Sequence, residues 1–135
     1  MIAGETQIRV RYGETDSMGY VYYGNFALYY EIGRTDLLRQ YGLTYKDLEE
    51  QGILMPVVSM TSHFKRPAFY DDFITIRTTV KKLPGIKIHF FYELFSNNQL
   101  INTGDTVLTF FNREQNKPVK CPEAILNRIR NHFEK

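Results

Sequence analysis

At 135 residues, 43% hydrophobic and 24% charged, the chain has the length of one domain with a proper core and the composition of a soluble globular protein. Its net charge of +2 arises from acids and bases mixed along the sequence without a Lys/Arg cluster, which argues against a nucleic-acid partner. The single cysteine, Cys121, excludes an internal disulfide and a Cys-rich zinc site.

The first residues, MIAGETQIRV, lack the apolar core of a signal peptide, and the most apolar run, Ile53 to Val58, is short and broken by Pro56. No membrane span is expected, and a cytoplasmic location is. Residues 6–12 alternate, with Thr6, Ile8, Val10 and Tyr12 opposite Gln7, Arg9 and Arg11. This predicts a half-buried strand with Tyr12 on its core face. The aromatic-rich turn RYGETDSMGYVYYGNF (residues 11–26) follows, in a chain with 10 Tyr, 10 Phe and no Trp. Such tyrosines suit either a ligand cavity or an ordinary core.

From Asn25 to Tyr41 the period is helical, with Phe26, Tyr29, Tyr30, Gly33, Leu37 and Tyr41 three and four apart. Ala27, Leu28 and Ile32 widen the apolar face, so burial is expected on much of the circumference. Asn25 is the expected N-cap, Gly42 the C-cap, and Glu31 with Arg34 a candidate ion pair. A short helix opens at Thr44, with Asp47 three residues on, and ends at Gly52. Strands are expected around 58–65, 74–80, 86–94 and 100–111, with turns at Pro84-Gly85 and Asn97-Asn98. A helix follows Pro122, carrying Ile125, Leu126 and Ile129. Four consecutive strands after a buried helix predict an α+β domain: an antiparallel sheet of about five strands curled around that helix, over residues 1–135.

Asp16 has two readings. It is an Asx-turn residue ending the first strand, the reading its local sequence favours, or a reactive carboxylate just ahead of a helix N-terminus. Free N–H groups at that terminus would polarise a carbonyl, while Asp16 attacked it or deprotonated a water. Gly24, lacking a Cβ, would let a substrate approach the backbone. A free tyrosine phenol has a pKa near 10, so Tyr12, Tyr22 and Tyr23 suit hydrogen bonding or packing and not base catalysis. Glu31 is a candidate second acid. His63, His89 and His132 form no metal-ligand spacing, no metal or phosphate-loop motif is present, and Cys121 reads as an inert loop thiol.

The stretch Tyr12-Gly-Glu-Thr-Asp16, then Gly19, then Val21-Tyr-Tyr-Gly-Asn25-Phe26, with Glu31 and Arg34 on the helix, resembles the hotdog-fold acyl-CoA thioesterases. The branch is that of 4-hydroxybenzoyl-CoA thioesterase, which includes the small thioesterases of the Tol–Pal cluster. A second match is SMTSHFKRPAFYDDFITI, with Pro67 and Asp72 at the family's Pro and Asp. The resemblance implies hydrolysis of an acyl-CoA to free acid and CoA, with Asp16 as nucleophile or general base and Tyr12 beside it. It implies a main-chain N–H of Tyr23 or its neighbour as oxyanion donor, and a helix start shaped by Gly24 and Asn25. Many Tol–Pal-type members have His where this chain has Tyr23, whereas hydroxybenzoyl-type members have Tyr. Glu31 joins the candidate substrate contacts. Lys65, Arg66, Lys81, Lys82 and Lys87 are candidates for the CoA phosphates. No cofactor is expected, because CoA belongs to the substrate. Two subunits are expected to pair sheet edge to sheet edge, as a homodimer or a dimer of dimers. The alternatives are a non-catalytic acyl or aromatic ligand-binding dimer and a hotdog dehydratase or hydratase, whose relatives use a His with a carboxylate.

Overall fold

Apolar residues at every second position make four strands of this chain one-sided, and the long helix supplies the surface that covers them. The computed structural model describes residues 1–133. Its elements are β1 (Ile2–Arg9), α1 (Phe26–Gln40), α2 (Tyr45–Glu50), β2 (Ile53–Leu54), β3 (Val57–Phe64), β4 (Phe73–Val80), β5 (Lys87–Ser96), β6 (Gln99–Asn112), β7 (Lys117–Val119) and α3 (Glu123–Ile129). Antiparallel pairing runs β1-β4-β5-β6, with β3 along the other side of β6 and the short β2 and β7 at its far end. Asn97 and Asn98 both have positive φ, 52° and 62°, in the tight β5–β6 hairpin that Asn tolerates. This is the curled antiparallel sheet around one long helix expected of a hotdog fold.

Ile74, Ile76 and Val80 of β4, Ile88, Phe90, Tyr92 and Leu94 of β5, and Leu108 and Phe110 of β6 are buried. Phe26, Tyr29, Tyr30, Leu37 and Leu38 of α1 meet them as the helical period predicts. Full burial of a Leu or Phe side chain contributes about 1.5–3 kcal/mol, so this one helix face is a large part of the core. Most polar groups that enter the core are paired, Thr78 Oγ1 being the exception among the described residues. Tyr30 Oη bonds Ser62 Oγ at 2.7 Å and donates to Asn102 Oδ1, while its ring stacks on Tyr92 at 4.3 Å.

Several expectations need correction. The first strand ends at Arg9, and residues Tyr12–Glu14 form a 3-10 turn that leaves Tyr12 77% exposed instead of facing the core. The turn is closed by Glu14, whose carboxylate accepts the Arg11 backbone N–H at 2.9 Å. Asn25 is not a side-chain cap: a 3-10 turn over Tyr23–Asn25 runs directly into α1. Leu28 and Ile32 are 49% and 37% exposed, so α1 keeps an uncovered apolar flank in the single chain. The expected Glu31–Arg34 pair is absent among the described residues. Arg34 is buried and donates to the hydroxyls of Tyr45 at 3.0 Å and Tyr92 at 3.5 Å, while Glu31 is exposed. Gly42 and Gly52, with φ of +80° and +81°, end their helices as expected, and Thr44 Oγ1 accepts the Asp47 N–H.

Candidate active site

Between β1 and α1 the chain folds back on itself in a small loop. Thr15 pairs with Val21, Asp16 N–H donates to Tyr20 O at 2.8 Å, and Gly19 N–H to Asp16 O at 3.0 Å. Gly19, at φ +83°, takes the left-handed conformation that lets this turn close. Asp16 Oδ1 accepts the Met18 N–H at 2.9 Å and the Tyr20 N–H at 3.3 Å, so the Asx-turn reading is correct. It does not exclude the reactive one. Asp16 Oδ2 has no hydrogen-bond partner among the described residues, and Asp16 lines a cleft of about 350 Å³. The loop is fastened to the segment before β4 by Val21 N–H donating to Ala68 O at 2.8 Å and by a Tyr20–Phe69 edge contact.

The walls of the cleft are largely apolar: Tyr20, Val21, Tyr23, Phe26, Phe64 and Ala68. Phe64, at the end of β3, meets Phe26 edge-on at 5.3 Å and Tyr23 at 6.5 Å. Lys65, Arg66 and Pro67 complete the lining, with the N–H groups of Lys65 and Arg66 both donated to Ile101 O. Asp16 and Tyr23, close in sequence, thus meet two cations from a distant strand end.

Asn25 N–H donates to Tyr22 O, and Tyr22 N–H to Glu14 O, both at 2.9 Å. The N–H groups of Tyr23 and Gly24, which open the helical segment, make no hydrogen bond among the described residues. Such N–H groups at a helix start are donors available to an oxyanion or carbonyl. Gly24 itself does not line the cleft. A Cβ there would stand 2.9 Å from the Tyr22 ring, so its smallness accommodates Tyr22. Asn25 is also removed from it, its Nδ2 donating to Glu14 O at 2.8 Å.

The remaining candidates lie elsewhere. Tyr12 stands edge-on to Tyr70 at 5.6 Å and does not line the cleft. Glu31 is exposed on α1, and Lys87 pairs with Thr109, toward the far end of β6 from Asn102, the partner of Phe64. Lys81 lies over the Phe91 ring on the outer sheet face. His63 and Asp105 line a second groove on that face, and His89 bonds Asp105 at 2.7 Å. Among the described residues no histidine lines the Asp16 cleft. Glu14 escaped the reading of the sequence. Burial opposes its charge, but the Arg11 N–H, the Tyr29 hydroxyl and the Arg11 guanidinium together hold its pKa below the ordinary glutamate value.

Residues 10–129 match the sequence profile described as the thioesterase-like superfamily. The Bacillus subtilis protein YneP, provisionally named an acyl-CoA thioesterase, is 35% identical over 71% of this chain and 70% of its own length. The acyl-CoA thioester hydrolase YbgC of Escherichia coli O6:H1 is 28% identical over 88% of this chain and 90% of its own. The solved structure of a DHNA-CoA thioesterase from Staphylococcus aureus superposes with a TM-score of 0.88 at 30% identity, covering 100% of this chain and 97% of that one.

Proposed function

This chain belongs to the thioesterase-like superfamily, and from that premise we propose that it hydrolyses acyl-CoA thioesters to free acid and CoA at the Asp16 cleft. One conjunction carries the reading. A carboxylate with an unengaged oxygen, a helix start whose Tyr23 N–H is unengaged, and two cations surround a single apolar cleft. The thioester carbonyl is held at the Tyr23 N–H group, which stabilises the negative charge that grows on its oxygen. Asp16 either deprotonates the attacking water or attacks the carbonyl itself; both routes consume one water and release acid and thiol. Tyr23 contributes its main chain and an aromatic wall. The apolar walls receive the acyl group, and Lys65 and Arg66 receive phosphates of CoA. CoA is part of the substrate, and the reaction as proposed uses no metal or cofactor.

The proposed working form is a homodimer, or a dimer of dimers, joined along β3. Val57, Val58, Met60 and Phe64 of this edge strand are between 46% and 55% exposed, and Leu28 and Ile32 of α1 add to the uncovered apolar surface. An open edge with apolar side chains is a liability that pairing with a second copy removes. No helix among the described residues is long and apolar enough to cross a membrane, and a cytoplasmic location fits an acyl-CoA substrate.

The test mixes the purified protein with a panel of aliphatic and aromatic acyl-CoAs and a thiol reagent. Steady release of CoA from at least one member is expected. Binding without release would instead identify a ligand-binding hotdog dimer.

A further inference from the structure

Within the thioesterase reading, the geometry points to Glu14 as the positioning residue that holds the Asp16 loop at a fixed distance from the start of α1. Glu14 grips both sides at once. Its side chain accepts the Tyr29 hydroxyl on Oε1 at 2.9 Å, and Tyr29, on the first turns of α1, is 1% exposed. The same oxygen accepts the Arg11 N–H, and Oε2 accepts Arg11 Nε at 3.0 Å, with Nη2 at 2.9 Å. Its main-chain oxygen receives Asn25 Nδ2 and the Tyr22 N–H. Thus the residue two before the carboxylate is bonded to three residues of the helical segment that carries the free Tyr23 and Gly24 N–H groups.

The arrangement has a consequence specific to catalysis. Asp16 and the oxyanion donor come from two separate pieces of backbone, joined through an exposed loop that includes Met18 at 70% exposure. The Thr15–Val21 pairing and the Asp16 N–H bond to Tyr20 O close that loop on itself, and the Glu14 side chain adds the tie from the loop to Tyr29 of α1. Glu14 lines neither the cleft nor any contact with Asp16 Oδ1, so it acts on the reaction only through placement. Misplacement of reacting groups by about 1 Å can cost up to about a hundredfold in rate, which gives such a tie leverage over kcat without a contact to substrate.

The experiment compares wild type with Glu14→Ala, Glu14→Gln, Tyr29→Phe and the Glu14→Ala/Tyr29→Phe double variant, with Asp16→Asn as reference. Melting temperature and kcat and KM for the best acyl-CoA are measured for each. Glu14→Ala is expected to lower kcat about tenfold or more with KM changed by less than about threefold, because the tie acts on the reacting geometry and not on binding. Glu14→Gln, which keeps an acceptor for Tyr29, recovers part of that loss. Tyr29→Phe lowers kcat in the same direction, and the double variant is no slower than Glu14→Ala, since both remove one tie. Tyr29→Phe deletes a single hydroxyl and supplies the kinetic answer if Glu14→Ala fails to fold. A lowered melting temperature with kcat retained in Glu14→Ala and Tyr29→Phe overturns the inference and leaves the thioesterase reading standing, as does equal loss in Glu14→Gln and Glu14→Ala. Absence of thioester turnover by the wild type, or full turnover in Asp16→Asn, overturns that reading and this inference with it.

Discussion

Gly33 lies directly over Thr78: a Cβ on the glycine would stand 2.5 Å from Thr78 Oγ1 and 2.8 Å from Cγ2 of Ile76. The middle of α1 therefore rests on the backbone-proximal atoms of β4, and only a residue without a side chain fits between them. Both neighbours are β-branched and short, so neither swings aside at low cost.

Gly33→Ala is therefore expected to destabilise the protein although alanine favours helix by about 1 kcal/mol. Overpacking a filled core costs about 1–3 kcal/mol and outweighs that gain or cancels it. Urea unfolding would show a lower midpoint; a raised midpoint would mean that α1 can lift from the sheet freely.

Asp16→Asn separates the turn role of this residue from its chemical one. Asn retains an Oδ1 that can accept the Met18 and Tyr20 N–H groups, so the loop and the melting temperature are expected to persist. Loss of the basic or nucleophilic oxygen is expected to lower kcat by about two orders of magnitude or more. Unchanged turnover would sink the assignment of Asp16.

Tyr23 is assigned a main-chain N–H and a wall, so its phenol is expected to be dispensable. Tyr23→Phe should change kcat by no more than about tenfold, the worth of one net hydrogen bond. Tyr23→Ala removes the ring that meets Phe64 and should raise KM more than it lowers kcat. A hundredfold loss of kcat in Tyr23→Phe would show that the hydroxyl takes part in the chemistry.

The long helix and the four long strands were legible because each is amphipathic over many residues, and Asn97-Asn98 announced its hairpin through the left-handed conformation it needs. Short elements were not. β2 and β7 exist because Ile53–Leu54 and Lys117–Val119 pair with β6, and segments so brief carry no period of their own. The early start of β1 was hidden because Ala3 and Gly4 break its alternation. Asp16 and Tyr23 could be found locally, and Lys65 and Arg66 came as candidates among many lysines. What set these two apart from Lys87 is the register of β3 on β6, a long-range property. Glu14 lies within the Tyr12–Asp16 stretch that carries the family resemblance, but its tie to Tyr29, fifteen residues on, has no local signal.

Cys121 is 5% exposed, and burial, with a smaller contribution from the Glu123 charge, pushes its thiol up to about 12. The thiolate is the reactive form, so the native protein is expected to show almost no thiol reactive with Ellman's reagent at neutral pH, and one after denaturation. A CoA-release assay built on that reagent should accordingly have a low protein blank. Rapid labelling of native Cys121 would indicate that the segment before α3 opens readily.

Glu14 gives the acid limb of stability a definite sign. Its folded pKa lies below the unfolded value, so its contribution is complete above the ordinary glutamate pKa and disappears as the pH falls through the lower, folded one. Part of the effect is an ion pair with Arg11, whose side chain is 79% exposed, and solvent screens that part. The bonds from the Arg11 backbone N–H and from the Tyr29 hydroxyl are the remainder. Wild type is thus expected to unfold at a higher urea concentration than Glu14→Gln at pH 7, with the gap closing as the pH is lowered past the carboxylate range. A gap that stayed constant into acid would mean that the bonds to Glu14 do not depend on its charge, and that the loop is held by its main-chain oxygen alone.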